Sequence, residues 1–268
     1  MANAVITRVV TRGLAVAANL DVTALAAQLR AHPSLRKLSL CQVTPLDTVA
    51  ALDAVVDAAL SLRLSALRLI ACGVGPASAV ALPRLLRGVS LCKLALQGHV
   101  GALLDAPAAA LLVDALRSNC TLTSLTLCNV ELWRSADVAE LLFGALVGHA
   151  SLIKIGLHYN DAAGTSAAAG ALLGALVAAD APALRVLYVS RSALGDAGLG
   201  PLLDALPRNT HLHELESEGN TVTAAVVGGR LIPALAENTS LQKLDSDSDE
   251  ANAFIAARTA AAAAAPHA

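Results

Sequence analysis

Glu214, Glu216 and Glu218 alternate along one short stretch, and Asp245, Asp247 and Asp249 alternate along another. Carboxylates at such spacing could hold a divalent cation or dock a cationic partner. The run Asp245-Ser-Asp247-Ser-Asp249 opens like a calcium loop. Its sixth place is Glu250 instead of glycine and its twelfth is Ala256 instead of glutamate, so it is not an EF-hand. His211 and His213 lie two apart without a third ligand in sequence, which reads as packed or solvated side chains. Cys41, Cys72, Cys92, Cys120 and Cys128 are odd in number and contain no C-x-x-C pair, so free thiols in a cytoplasmic protein are expected. Cys72 and Cys120 are expected to be shielded, and Cys41 and Cys128 to face outward. No glycine-rich phosphate loop, G-x-S-x-G or H-E-x-x-H occurs. The expectation is a protein that is not an enzyme, with no catalytic residue, no metal and no cofactor.

The elements that position these groups repeat. The string L-x-x-L-x-L, clearest in Leu122–Leu127, starts at Leu35, Leu64, Leu91, Leu122, Leu152, Leu184, Leu212 and Leu241, at steps of 27 to 32 residues. Such a period marks a solenoid of stacked strand–helix units. In each string the fourth and sixth places share one face of a strand. The following segment has helical periodicity, clearest over Asp47–Leu60, where Val49, Leu52, Val55, Val56, Ala59 and Leu60 share a face and Asp53 and Asp57 point away. A single unit cannot bury its leucines, but a stack buries them continuously.

These strings, their step length and run-ins such as Ser118-Asn119, Arg208-Asn209-Thr210 and Glu237-Asn238-Thr239 resemble the leucine-rich-repeat family of the ribonuclease-inhibitor type. The resemblance spans roughly residues 30 to 250. It implies an α/β solenoid, a horseshoe with parallel strands on the concave face and helices on the convex face. The family's Asn or Cys, three places after the third leucine, is matched by Cys72, Asn160 and Asn220. Val43, His99, Val130, Ser192 and Asp249 stand at the other places, and Ser217 and Ser246 replace the third leucine in the last two units. The family implies roles in enzyme inhibition, scaffolding or ligand sensing.

Places three, five and seven of each string face outward by parity. They read Lys37, Ser39, Cys41; Ala66, Arg68, Ile70; Lys93, Ala95, Gln97; Ser124, Thr126, Cys128; Lys154, Gly156, His158; Val186, Tyr188, Ser190; Glu214, Glu216, Glu218; and Lys243, Asp245, Asp247. The face is mildly basic in the early repeats and strongly acidic in the last two. Adjacent strands lie about 4.8 Å apart, so Glu216 should neighbour Asp245, Glu218 should neighbour Asp247, and Glu214 should pair with Lys243. Crowded carboxylates repel, which raises the pKa of at least one. The expected function is recognition of a protein or peptide partner on the concave face, with a cationic partner at the acidic end. The candidate binding residues are Lys154, His158, Tyr159, Tyr188, Arg191, Glu214, Glu216, Glu218, Asp245 and Asp247. An alternative is a regulator of a small GTPase or other enzyme acting through edge-loop residues such as Arg134 and Arg191.

The 268 residues are 56% apolar but only 2% aromatic, so the core is built from Leu, Val and Ala. A net charge of −2 gives no global pull to nucleic acid or anionic membrane. Residues 1–258 are expected to form one solenoid, a monomer, with 1–34 as an N-terminal capping unit: Val5–Val10 as its strand and Asp21–Ala31 as its helix. The alternative for residues 1–20 is a targeting segment. Residues 259–268 read as an alanine-rich tail. Ala162–Ala179 is uncharged and holds Gly170-Ala-Leu-Leu-Gly174, yet it occupies a helix slot and is expected to pack, not to span a membrane. Asn119-Cys-Thr121 and Asn238-Thr-Ser240 match a glycosylation sequon, but both read as polar run-ins to a strand.

Overall fold

The residues at places one, four and six of the strings are the buried ones. From Leu35 to Leu244 these side chains are at most 8% exposed wherever they are apolar. The computed structural model describes residues 8–11, 22–42, 46–98 and 101–264. The chain is an α/β fold of repeated strand–helix units with parallel strands, and it packs as two units, Met1–Ala145 and Leu146–Ala268.

The first unit holds β1 (Arg8–Thr11), α1 (Val22–Arg30), β2 (Lys37–Cys41), α2 (Val49–Ser61), β3 (Ala66–Ile70), α3 (Pro76–Ala79), α4 (Leu82–Arg87), β4 (Lys93–Gln97), α5 (Ala106–Ser118) and β5 (Ser124–Cys128). The helix α6 (Ala136–Leu146) carries the chain into the second unit. There follow β6 (Lys154–Gly156), α7 (Ser166–Ala178), β7 (Val186–Tyr188), α8 (Gly195–Ala205), β8 (Glu214–Glu216), α9 (Ala224–Val226), α10 (Ile232–Glu237), β9 (Lys243–Asp245) and α11 (Asp249–Ala264). A π-helical turn, Val227–Leu231, joins α9 to α10.

Within each unit, neighbouring strands pair in parallel and in chain order. Leu38, Leu67, Leu94 and Leu125 stand in one row, and Ile155, Leu187, Leu215 and Leu244 in another. The cap's strand and helix appear as β1 and α1, while Val5–Thr7 lie outside the described residues. The helix expected over Asp47–Leu60 begins two residues later, because the Thr48 side chain caps it by accepting from the Ala51 N–H. Asp53 and Asp57 turn away from the core, and both bind Arg84 of α4 at 2.6 Å.

Buried amides close the turns. Asn119, Asn209 and Asn238 occupy the same place before β5, β8 and β9. Each side-chain oxygen accepts from the N–H groups two and three residues on. Each side-chain NH₂ donates to a carbonyl of the preceding repeat: Leu86, Val177 and Leu206 respectively. Asn119 and Asn238 are therefore engaged inside the fold, which accounts for both sequon matches. After the strands a second set operates. Asn160 and Asn220 donate to the Leu157 and Ser217 carbonyls at 2.8 Å, and Ser192 joins them, donating its N–H to Asn220 Oδ1 and accepting the Asn160 N–H. Serine thus continues the polar ladder where the family pattern lacks its asparagine.

Gly170 and Gly174 pack α7 against α8. A Cβ on Gly170 would stand 2.6 Å from the Ala197 carbonyl oxygen, and one on Gly174 2.9 Å from that of Pro201. The spacing serves helix packing within the fold, and no helix among the described residues is long and apolar enough to cross a membrane. The alanine-rich end is helical through Ala264. Arg258 on α11 donates to the carbonyls of Leu235, Asn238 and Leu241, so this helix closes the last repeat. Two burial expectations fail: Val49, in the first turn of α2, is exposed, and so is Cys120, because Asn119 beside it takes the inward place.

Leu125→Ala, in a row filled with leucine, is expected to cost about 2–5 kcal/mol through lost burial and a cavity. Leu244→Ala is expected to cost less, because Ser217 and Ser246 already thin that end. Denaturant melts showing equal losses would contradict the gradient. In timed alkylation read by mass spectrometry, Cys120 should label first and the fully buried Cys72 last.

Candidate recognition site on the second unit

The strands β6 to β9 stack their outward positions into two rows. Lys154, Val186, Glu214 and Lys243 form one. Gly156, Tyr188, Glu216 and Asp245 form the other. Gly156, directly across from Tyr188, has no side chain to contest the space beside the ring. The Lys154 ammonium lies 3.6 Å from the centre of the Tyr188 ring, a cation–π contact. The Tyr188 hydroxyl donates to Glu214 Oε1 at 3.0 Å, and Lys243 binds the same oxygen at 2.5 Å. Lys243 also stands 3.8 Å from Glu216. Four strands are thus tied by alternating cation, ring, carboxylate and cation.

This order decides the electrostatics. Burial acts to raise the Glu214 pKa, but the hydrogen bonds from Lys243 and Tyr188 and the two lysine charges outweigh it, so the carboxyl is held below its ordinary value. The pairing of Glu214 with Lys243 expected from the register is present, and it helps set the sign of this shift. Tyr188 moves the other way. Burial and its bond to Glu214, with the negative charges of Glu216 and Glu214, push its pKa well above the ordinary phenol range.

A second group sits where the chain leaves the strands. His158 stands edge-on to Tyr159, with ring centres 5.8 Å apart, and 6.2 Å from Tyr188. Arg191 lies over the Tyr159 ring at 5.8 Å and reaches Glu218 at 3.4 Å. Tyr159 and Arg191 both have left-handed backbones, with φ of 61° and 55°. The cause is the ladder, which continues one step past the strand: Tyr159 donates its N–H to the Ser190 carbonyl, and Arg191 to that of Glu218. Gln42, Ala71, Gly98 and Gly219 take the same turn at the same place. A tyrosine and an arginine here bear a backbone cost that glycine would avoid, and they are set in adjacent repeats with half of the Tyr159 side chain exposed.

The structure therefore brings Lys154, His158, Tyr159, Tyr188, Arg191, Glu214, Glu216 and Glu218 into one connected surface. Asp245 falls beside Glu216 on β9. Asp247 is engaged differently. Its carboxylate accepts the N–H groups of Gly219 and Asn220 at 2.7 and 3.1 Å, closing the turn after β8. Lys243, anticipated as a partner of Glu214 but not as a site residue, is a central member. The two histidines do not act together. His211 binds Asp180 at 2.9 Å, and the same carboxylate accepts from the Thr210 N–H and hydroxyl. No group of three or more potential metal ligands occurs among the described residues. Arg134 and Arg191, the candidates for action on another enzyme, are both paired with carboxylates, Glu131 and Glu218.

In sequence, the chain matches no family profile and no curated protein. It is similar to the solved structure titled leiomodin-1 actin-binding site 2, with a TM-score of 0.45 and 15% identity over 55% of this chain and 85% of that one. It is likewise similar to the tropomodulin C-terminal domain of Caenorhabditis elegans, with a TM-score of 0.46 and 20% identity over 55% of this chain and 89% of that one.

The shifted groups set the pH behaviour. Glu214, with a lowered folded pKa, contributes stability that is present above the ordinary glutamate pKa of about 4.3 and is lost as pH falls through the folded value. Lys243→Gln should shrink that acid-side loss in pH-dependent melts. In a Tyr159→Phe variant the remaining tyrosine is Tyr188, and ultraviolet titration should find it still protonated at pH about 10, where a free phenol is half ionised. Half-ionisation of Tyr188 at that pH would show that its bond to Glu214 is absent.

Proposed function

We propose that the chain is a non-enzymatic recognition module that binds a protein or peptide partner on the outward strand face of its second unit. The preferred partner is a segment carrying lysine or arginine. The observation that carries this reading is the Lys154–Tyr188–Glu214–Lys243 chain of contacts. It fixes a tyrosine beside two carboxylate-bearing strands in a defined geometry before any partner arrives. Preorganised aromatic and charged side chains lose little freedom on binding. Glu216 and Asp245 continue the Tyr188 row on β8 and β9, with acceptor capacity left for a cation. In a leucine-rich-repeat coil of the ribonuclease-inhibitor type this face would be the concave one. The same reading takes the chain as a monomer acting in the cytoplasm, without cofactor or metal.

The test is binding of a fluorescent peptide rich in lysine and arginine, measured by anisotropy against salt. Replacing Glu216 with Gln and Asp245 with Asn should weaken binding and flatten its salt dependence. These side chains are solvated, so the melting midpoint should move little. A double variant that is folded and keeps full affinity would leave the acidic face without a docking role.

A further inference from the structure

In the first unit, the strand layer from β2 to β5 carries cations and no acid. Residues 31–42, 61–74, 86–98 and 117–130 cover β2 to β5 with their run-ins, and they contain no Asp or Glu. They carry Arg36, Lys37, Arg63, Arg68, Lys93 and Arg117 among their cations. The acids of that unit among the described residues lie on the helices and the loops leading into them, and several of them hold cations or cap a helix. Asp53 and Asp57 hold Arg84, Asp114 holds Arg87, Glu131 holds Arg134, and Asp105 caps α5 by accepting from the Ala108 N–H.

The strand layer has no such neutralisation. Lys37 and Lys93 share one row of the sheet, with Ala66 between them and Ser124 beyond. At the usual strand spacing their Cα atoms are about 10 Å apart. Arg68 stands one outward position further along the intervening strand, beside Ser39 and Ala95. All three cations are exposed. Arg68 is steadied by Gln97, whose side-chain oxygen accepts from Nε at 3.1 Å and Nη2 at 2.6 Å. Lys37 and Lys93 form no ion pair with a carboxylate among the described residues. Between the cations the floor is low, made of Ser39, Ala66, Ala95 and Ser124, so an extended chain can lie across it.

We infer that this face of the first unit, centred on Lys37, Arg68 and Lys93, docks an acidic segment of a protein partner. The pattern favours a peptide over other polyanions. Its outward strand positions on β2 to β5 hold no aromatic ring on which a base could stack. They hold no exposed large apolar side chain to enter a bilayer either. The surface is separate in residues and opposite in sign from the one proposed above, so either can fail without the other.

The test uses the full chain and three probes: a fluorescent peptide of alternating Glu and Ser, a single-stranded oligonucleotide of similar charge, and phosphatidylserine vesicles. The acidic peptide should bind best and lose affinity steeply with salt. Replacing Lys37 and Lys93 with Glu should reduce its affinity at least tenfold. The charge-matched control Arg30→Glu with Arg134→Glu should reduce it less than twofold, and Glu216→Gln with Asp245→Asn should not weaken it. Because strand charge reversal could unsettle the sheet, Arg68→Gln serves as a milder variant, expected to weaken the peptide severalfold with an unchanged melting midpoint. The inference is overturned if the peptide does not bind, if the control weakens it as much as the Lys37/Lys93 variant, or if the oligonucleotide or vesicles bind more tightly than the peptide.

Discussion

Each repeat passes a turn through the interior, and the backbone groups of that turn must find partners away from water. This constraint shapes the molecule. A buried amide without a partner costs about as much as a repeat's small surplus of stability. Asn119, Asn209 and Asn238 meet the constraint before the strands, each tying its own turn to the preceding repeat. Asn160, Ser192 and Asn220 meet it after them. Leucine burial supplies the driving force, but it is indifferent to register. The amides choose one register, and through it they decide which outward side chains stand side by side.

The site on the second unit follows from that choice. Lys154 and Tyr188 are distant in sequence, and so are Tyr188 and Glu214. They meet because parallel in-register pairing puts Tyr188 diagonally beside the outward places of β6 and β8, within side-chain reach. The cation–π contact, the phenol–carboxylate bond and the lysine ion pair then support each other. Lys243 holds Glu214 ionised, the ionised Glu214 holds the Tyr188 proton, and the oriented ring receives Lys154. The site's order is therefore a property of the stack, and altering the register would dissolve all three contacts together.

Much of this was legible in the sequence, because a period and a parity are geometric statements. The eight leucine strings locate the strands, their parity sorts buried from exposed places, and alignment of equivalent places puts Glu214 beside Lys243. What was not legible depends on distances shorter than a residue spacing. Parity puts Asp247 on the open face, but it cannot show that the Gly219 and Asn220 N–H groups lie within reach of its carboxylate. Counting carboxylates suggests repulsion, while the sign at Glu214 is set by which charge is nearest. Cys120 was misplaced because only one of two neighbouring residues can take the inward place, and Asn119 has backbone groups to satisfy where the thiol has none. Ser192 lacks the expected amide, yet its hydroxyl and backbone supply enough of the same bonds.

Net charge is the least informative description of this chain. A value of −2 describes a neutral surface, yet it sums a first unit whose described strands carry cations and no acid with a second whose strands carry Glu214, Glu216 and Asp245. Helix-borne acids in the first unit find cations one repeat away, because equivalent helix positions face each other across neighbouring helices, as Asp53 and Asp57 do with Arg84. Strand-borne charges have fewer such escapes. Neighbouring strands are closer than neighbouring helices, and each outward side chain meets only the equivalent and diagonal places on either side. A strand charge is therefore either paired in its own row, as Glu214 is with Lys243, or left facing solvent, as Lys37 and Lys93 are. Charges left in that second condition carry a cost in self-repulsion that folding does not recover, and a complementary partner is the means by which it would be offset.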